Sequence, residues 1–241
     1  MPRRTTVILA FAGLLLVAVA GCAPTAETAP SPTKTPSVAS RVAASGDGTL
    51  LLGSLFPMTG DALESGAAQV AGAELAAREI SEQGLVLGHP VVIVHRDSAH
   101  NVTSAVADLL TRGVDAVLWD ATSPVPADVT TAFRTAGVAV IPLAEFANGG
   151  TPLAASDEFA GRLRTMDPAL VATAGGGEAY DGVVLTALAA VEADDDGARS
   201  IEQAFDRVSS GAVACGSWGE CAAALAETQQ IAYTGVTGRR S

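Results

Sequence analysis

The chain has 241 residues, 49% of them hydrophobic but only 4% aromatic, and its 26 acidic side chains outnumber 14 basic ones for a formal net charge of −12. That length and apolar content allow one core and little more. The acidic balance makes nucleic acid an unsuitable partner, because phosphate binding rests on lysine and arginine.

The first element is an export signal. Met1-Pro2-Arg3-Arg4 forms a basic head, residues 7–20 an uncharged apolar run, and Gly21-Cys22 a small-residue cleavage site, in the order such signals take. The run falls short of the roughly 20 apolar residues a spanning helix needs, and no later stretch comes closer. Val19-Ala20-Gly21-Cys22 looks like a bacterial lipobox, whose cysteine takes up diacylglycerol and becomes the new first residue. Residues 1–21 are therefore expected to be a lipoprotein signal peptide. Cys22 is the expected lipid anchor, on the extracytoplasmic face of the cell membrane; ordinary secretion with an incidental cysteine is the competing reading. Loss of Arg3 and Arg4 with the signal takes the formal balance from −12 to −14.

Residues 22–47 hold Ala, Pro, Ser, Thr and Gly with almost no large apolar side chain, too little to offset chain entropy, so a disordered tether is expected there. Residues 48–241 are then a single domain. Its first strand covers residues 49–56, and a helix over 66–83 places Val70, Ala73, Ala77 and Ile80 on one face before Gly84 ends it. A second strand covers 90–94. Asn101 caps a helix that stops at Gly113, a third strand covers 114–118, Pro126 suits the first turn of a helix to residue 136, and a fourth strand covers 138–143. Apolar strands alternating with helices predict an α/β fold, a parallel sheet with helices on both faces.

Beyond Ala144 the pattern changes. Glycine clusters punctuate residues 148–177, with one helical candidate over 157–164 and no evident strand; further helices are expected over 178–193, with Val183, Ala187, Ala190 and Val191 inward, over 200–208 and over 219–227, before a short strand at 231–233. Asp194-Asp195-Asp196 reads as an exposed acidic turn between helices. Cys215 and Cys221 flank Gly216-Ser217-Trp218-Gly219-Glu220, a segment able to turn back on itself, so a local disulfide is expected outside the cytosol. Zinc is the competing reading, short of the four ligands such a site needs.

The order of motifs resembles the type I periplasmic binding proteins, the leucine/isoleucine/valine-type substrate-binding family of ABC importers. The resemblance rests on the opening strand with Pro57-Met58-Thr59-Gly60 and Gly66, the strand ending at Asp97 with Ala99 behind it, Val117-Leu118 running into Thr122-Ser123, Ala179-Tyr180-Asp181-Gly182-Val183-Val184, and the closing 231–238 segment. It implies a first lobe with the second lobe largely missing, since the family inserts that lobe where this chain has only residues 145–157. It implies a small polar solute, an amino acid or a relative, and a permease as partners. Thr122 and Ser123 then stand where the family holds its ligand after the third strand, Ala144 where it does so after the fourth, and Thr59 in the first loop. Departures are Phe146 in place of a threonine, Ser65 in place of an aromatic wall residue and Trp119 in place of a glycine.

Read without the resemblance, Thr122-Ser123-Pro124 is a turn whose hydroxyls cap the next helix, although the carboxyl ends of parallel strands are also where open α/β sheets bind ligands. Asp97, Asp120 and Glu145 share those ends and read as solvated loop acids. His89, His95 and His100 fall in loops or at strand edges, without the spacing of a catalytic or metal site, so no catalytic residue, metal or cofactor is expected. Two further readings stay open: a one-lobed binding or scaffold lipoprotein that contacts a protein, or a second copy of itself, through the face left by the missing lobe; and a hydrolase, which needs a nucleophile and base within hydrogen-bond reach.

Overall fold

The structure, a computed structural model, describes residues 43–147 and 151–239. The signal, Cys22 and most of the tether lie outside the described residues. Among those described, no helix is long and apolar enough to cross a membrane.

Four strands, β1 (Leu51–Phe56), β2 (Val92–Asp97), β3 (Ala116–Trp119) and β4 (Ala139–Pro142), form one parallel sheet in the order β2-β1-β3-β4. Strands β1 and β3 lie inside the sheet and are buried on both faces, as parallel strands require; β3 is apolar throughout, and β1 is apolar but for Gly53 and Ser54 at its centre. The second strand starts and ends later than the sequence suggested. It runs on through His95, Arg96 and Asp97 because it is an edge strand, where polar side chains are tolerated and keep the edge from pairing further.

Helices cover both faces. On one, Leu55, Val117 and Trp119 meet Leu109 of α2 (Val102–Arg112) and Val129 and Phe133 of α3 (Ala127–Thr135). On the other, Leu52, Phe56, Leu118 and Ile141 share the larger core with α1 (Leu63–Gln83), α4 (Asp157–Met166), α5 (Gly176–Ala193), α6 (Ala198–Ser209) and α7 (Trp218–Ala226). The expected caps form at Asn101, whose side chain accepts from the Ser104 N–H, and at Gly113, which is left-handed with φ 69°. Pro126 stands one place earlier than expected, at the cap position of α3.

Helix α5 is enclosed rather than amphipathic. Every residue from Gly176 to Ala190 is buried, while Val191, expected inward, is only half-buried. A helix hydrophobic all round is one that neighbours surround. Small residues permit this: a Cβ on Gly72 of α1 would lie 2.0 Å from the Gly176 carbonyl oxygen, so the two helices touch backbone to backbone. Arg162 of α4 then ties three helices together. Its guanidinium bonds both Glu79 oxygens of α1 and the Tyr180 hydroxyl of α5, and it stacks over the Phe159 and Tyr180 rings.

A strand the sequence did not show, β5 (Val213–Cys215), pairs in parallel with β6 (Ile231–Gly235), which turns back antiparallel into β7 (Gly238–Arg239). Three residues with one buried member carry too little pattern to be read in advance. Cys215 and Cys221 are disulfide-bonded, which fixes β5 to α7 above buried Trp218. The β6–β7 turn is held by buried Asp181 of α5, which accepts from the Tyr233 hydroxyl, the Val236 and Thr237 N–H groups and the Thr237 hydroxyl.

The acidic turn after α5 differs from expectation. Asp194 is exposed, but Asp195 and Asp196 are buried. Asp195 accepts from the N–H groups of Ser45 and Gly46 and from the Ser200 hydroxyl, and Asp196 accepts from the Gly48 N–H. These carboxylates satisfy backbone donors of the incoming chain, so they are drawn inward rather than into solvent. Burial pushes the carboxyl of nearby Asp115, which accepts from the Leu51 N–H, up to about 7, with Asp196, Asp47 and Asp195 adding to the rise.

Candidate functional site

From β1 the chain moves outward to β2 and then back across to β3, so the carboxyl ends of β1 and β3 flank the point where the strand order reverses. That crevice is where open α/β sheets bind ligands. Here it is closed from within by Gln69 of α1 and Asp120 at the end of β3, neither more than 5% exposed. The Gln69 amide donates to Asp120 Oδ1 at 2.7 Å and to Ser65 Oγ at 3.4 Å, and its carbonyl accepts from the Ala121 N–H at 2.9 Å. A Cβ on Gly66 would lie 1.8 Å from the Pro57 carbonyl oxygen, so only glycine lets α1 start this close to β1 and bring Gln69 into reach. The helix begins at Leu63, a turn earlier than the sequence suggested, with a 3-10 turn (Gly60–Ala62) before it.

Thr122 and Ser123 gather on the same carboxylate. The Thr122 hydroxyl donates to Asp120 Oδ2 at 2.6 Å, the Ser123 hydroxyl to Oδ2 at 2.9 Å, and the Thr122 N–H to Oδ1 at 3.1 Å. Trp119, packed beneath α3, donates its indole N–H to Ser123 O and Oγ at 3.1 and 3.3 Å and locks the turn. Thr122 is exposed and Ser123 half-buried.

Thr59 and Ala144 stand apart from this pair. Thr59 is exposed and donates to Asp97 at the end of β2, and Asp97 also accepts from the Met58 and Ala99 N–H groups. Burial acts upward on that carboxyl, but the bonds from Thr59, Ala99 and Met58 outweigh it and hold it below its ordinary range. Ala144 lies in the 3-10 turn (Leu143–Glu145) after β4 and lines a cavity of about 390 Å³ with Pro124, Val125, Arg134, Pro142 and Glu145. That cavity begins at the residue following Ser123, and its size falls within the range of small-molecule sites. A second, more apolar cavity of about 250 Å³ lies between α1 and the end of α4, lined by Met58, Leu63, Val70 and Met166.

The Gln69–Asp120 pair was not singled out in the sequence, and Asp120 is buried rather than solvated. The available signal was one long polar side chain, Gln69, within an alanine-rich inward stretch. Burial also hides Glu178 at the start of α5. One of its oxygens accepts from the Leu153 N–H, the other has no partner among the described residues, and burial raises its pKa. His95 is within β2, not at its edge or in a loop: Ser54 Oγ lies 2.6 Å from its Nδ1 and Glu74 Oε1 2.8 Å from its Nε2. The bond from His95 holds Glu74 below its ordinary range. Ser54 is fully buried between the sheet and its helices, so this chain of bonds ties edge strand β2 to α1 and presents no nucleophile at a surface.

Residues 49–160 match the family model described as periplasmic binding protein. No curated protein matches the chain. Among solved structures, the chain is similar to the substrate-binding protein LivJ of a branched-chain amino acid transporter from Streptococcus pneumoniae strain Canada MDR_19A, solved with isoleucine, at 14% identity and a TM-score of 0.56 over 79% of this chain and 91% of that one. It is also similar to a fatty acid ABC transporter substrate-binding protein from Thermomonospora curvata, at 13% identity and a TM-score of 0.33 over 80% of this chain and 45% of that one. The likeness to LivJ establishes the fold. The family model thus matches residues 49–160 of the chain, and the described residues share the α/β fold, a parallel sheet covered by helices, of the LivJ structure.

Proposed function

We propose that the chain is an extracytoplasmic solute-binding lipoprotein of an ABC importer, held to the membrane by lipid on Cys22. Its ligand is a small polar solute, an amino acid or a related amide, bound at the carboxyl ends of β1, β3 and β4 by Thr122, Ser123, Ala144 and Thr59. The single observation that carries this reading is the pair of hydroxyls at the switch point, beside a cavity of about 390 Å³ that begins at the next residue and includes Ala144. One lobe encloses less of a ligand than the 70–90% usual in such sites. If half of a micromolar binding energy of about −8 kcal/mol is kept, the affinity is roughly millimolar. A thermal-shift screen of amino acids, amides and short peptides at millimolar concentration tests the reading. It expects one compound class to raise the melting point and Ser123→Ala to remove the effect. Cell fractionation of Cys22→Ala tests the anchor, which predicts loss from the membrane fraction.

A second reading has its own observation. Leu63, Leu153, Val171 and Val236 are 49%, 51%, 76% and 41% exposed, and all lie in or beside segments that adjoin the strand carboxyl ends or the start of α5. An apolar rim there fits a protein partner, or a second copy of this chain, in place of another lobe. A strictly monomeric chain at high concentration, with no apolar partner captured by that face, removes its support.

A further inference from the structure

We infer that the groove between α1 and the end of α4 is a second binding site, one that takes a small amine with a short apolar tail: the ammonium meets Glu74 and Asp167, and the tail lies along α1 toward Leu63. None of the residues lining it belongs to the site at the ends of β3 and β4, and the inference stands whether or not a solute binds there.

The groove follows from one stripe of α1. Leu63, Ala67, Val70, Ala71 and Glu74 recur at helical spacing and so share a face. With Met58 from the loop after β1, and Met166 and Asp167 at the end of α4, they line the cavity of about 250 Å³. Ala67 and Ala71 are too small to fill the space, and the two methionines give it walls that adapt to varied apolar shapes. At 1.5 Å per residue the stripe runs about 16 Å from Leu63 to Glu74, apolar until its last member. Asp167 comes to the same end: Arg162 meets Glu79 and Thr165 meets Arg78, so contacts step back along α1 as they step forward along α4. The volume lies below the roughly 300–1,000 Å³ of drug-sized sites, which suits a short chain or a single ring.

The charges select the occupant. Glu74 Oε1 is bonded to His95, which keeps the carboxyl ionised, while Oε2 accepts no bond among the described residues and the side chain is 42% exposed. Asp167 is half-buried and gives only Oδ1 to its own loop, accepting from the Ala169 N–H. No lysine, arginine or histidine is among the lining residues. Two cationic side chains stand near it, and both are engaged: His95 with Glu74 and Ser54, and Arg78, a turn further along α1, with Thr165 and with Glu82 at 3.6 Å. An ammonium brings three donors on a compact charge to the free carboxylate oxygens. Its tail leaves water for the methionine and valine walls. A carboxylate in the same place would face two like charges.

The test is amide chemical-shift titration of the full chain with hexylamine, a cation at neutral pH, hexanol, which is neutral, and hexanoate, an anion. Hexylamine should bind at least about tenfold more tightly than hexanoate, with hexanol between them. Its shifts should centre on residues 58, 63–74 and 166–167 and leave 120–126 unmoved. Shortening the tail to butylamine should weaken binding by up to about fourfold per methylene. Glu74→Gln should weaken hexylamine about threefold or more and spare hexanol, whereas Glu64→Gln, an exposed charge of the same helix outside the cavity, should change neither. Ala67→Leu fills the floor and should abolish binding of both, a check that does not pass through the Glu74–His95 bond. Equal or tighter binding of hexanoate, shifts centred elsewhere, or no response to hexylamine at millimolar concentration overturns the inference. Any of these leaves the solute-binding reading standing, since that reading fails on its own test, the effect of Ser123→Ala.

Discussion

Replacing Asp115 with asparagine should stabilise the chain at pH 8 and do progressively less as the pH falls. Burial and the carboxylates of Asp196, Asp47 and Asp195 move the Asp115 carboxyl from 3.8 to about 7 in the folded chain. A carboxyl raised in this way binds its proton more tightly folded than unfolded. Its contribution is thus most favourable below the unfolded value near 4, is lost as the pH climbs, and is gone above about 7. At about 1.4 kcal/mol per pH unit, that span corresponds to about 4 kcal/mol. Asp115 is partly exposed, and screening by solvent cuts the figure to about 2 kcal/mol. Asparagine keeps an oxygen to accept from the Leu51 N–H and brings no charge, so the variant should gain that amount at pH 8, about 4–8 °C in Tm. Urea unfolding of both forms at pH 8, 6 and 4 is the assay, with the difference shrinking toward pH 4. A gain that is absent at pH 8, or equal at all three values, refutes the reasoning.

Arg162→Ala leaves Glu79 and the Tyr180 hydroxyl without their shared cation and removes the stack on two rings, and should lower stability by about 2 kcal/mol in denaturant titration. Gly72→Ala drives a methyl group against the Gly176 carbonyl and should cost about 2–3 kcal/mol by thermal melting, whereas Gly161→Ala, with open space around it, should be nearly neutral. Reduction of the Cys215–Cys221 bond, which spans a separation of six, should cost about 2 kcal/mol and lower the melting point reversibly.

The parallel sheet was legible because β1 and β3 are buried on both faces and read as largely apolar runs, broken only by Gly53 and Ser54 in β1, with glycines and caps marking the helices between them. Edge position blurred β2: His95, Arg96 and Asp97 look like loop residues until a strand on one side only is taken into account. β5 was missed because three residues show no period. Helix α5 was seen but misjudged, since burial on all sides erases the amphipathic pattern that assigns an inward face. At the site, the sequence placed Thr122 and Ser123 at a strand end, but not the carboxylate that takes up their protons. Asp120 and Gln69 are 51 residues apart, and only the β1–α1–β3 geometry brings them together. The same distance problem hid the role of Asp195 and Asp196, whose partners lie about 150 positions earlier.

The central claim is that a solute binds at the carboxyl ends of β1, β3 and β4, and amide chemical-shift mapping of the labelled chain with the best compound from the thermal-shift screen tests it most directly. The account predicts shifts confined to residues 57–62, 120–126 and 143–147, saturating at millimolar concentration and absent in Ser123→Ala. Shifts centred instead on the cavity between α1 and α4, or on the β5–β7 sheet, would contradict it.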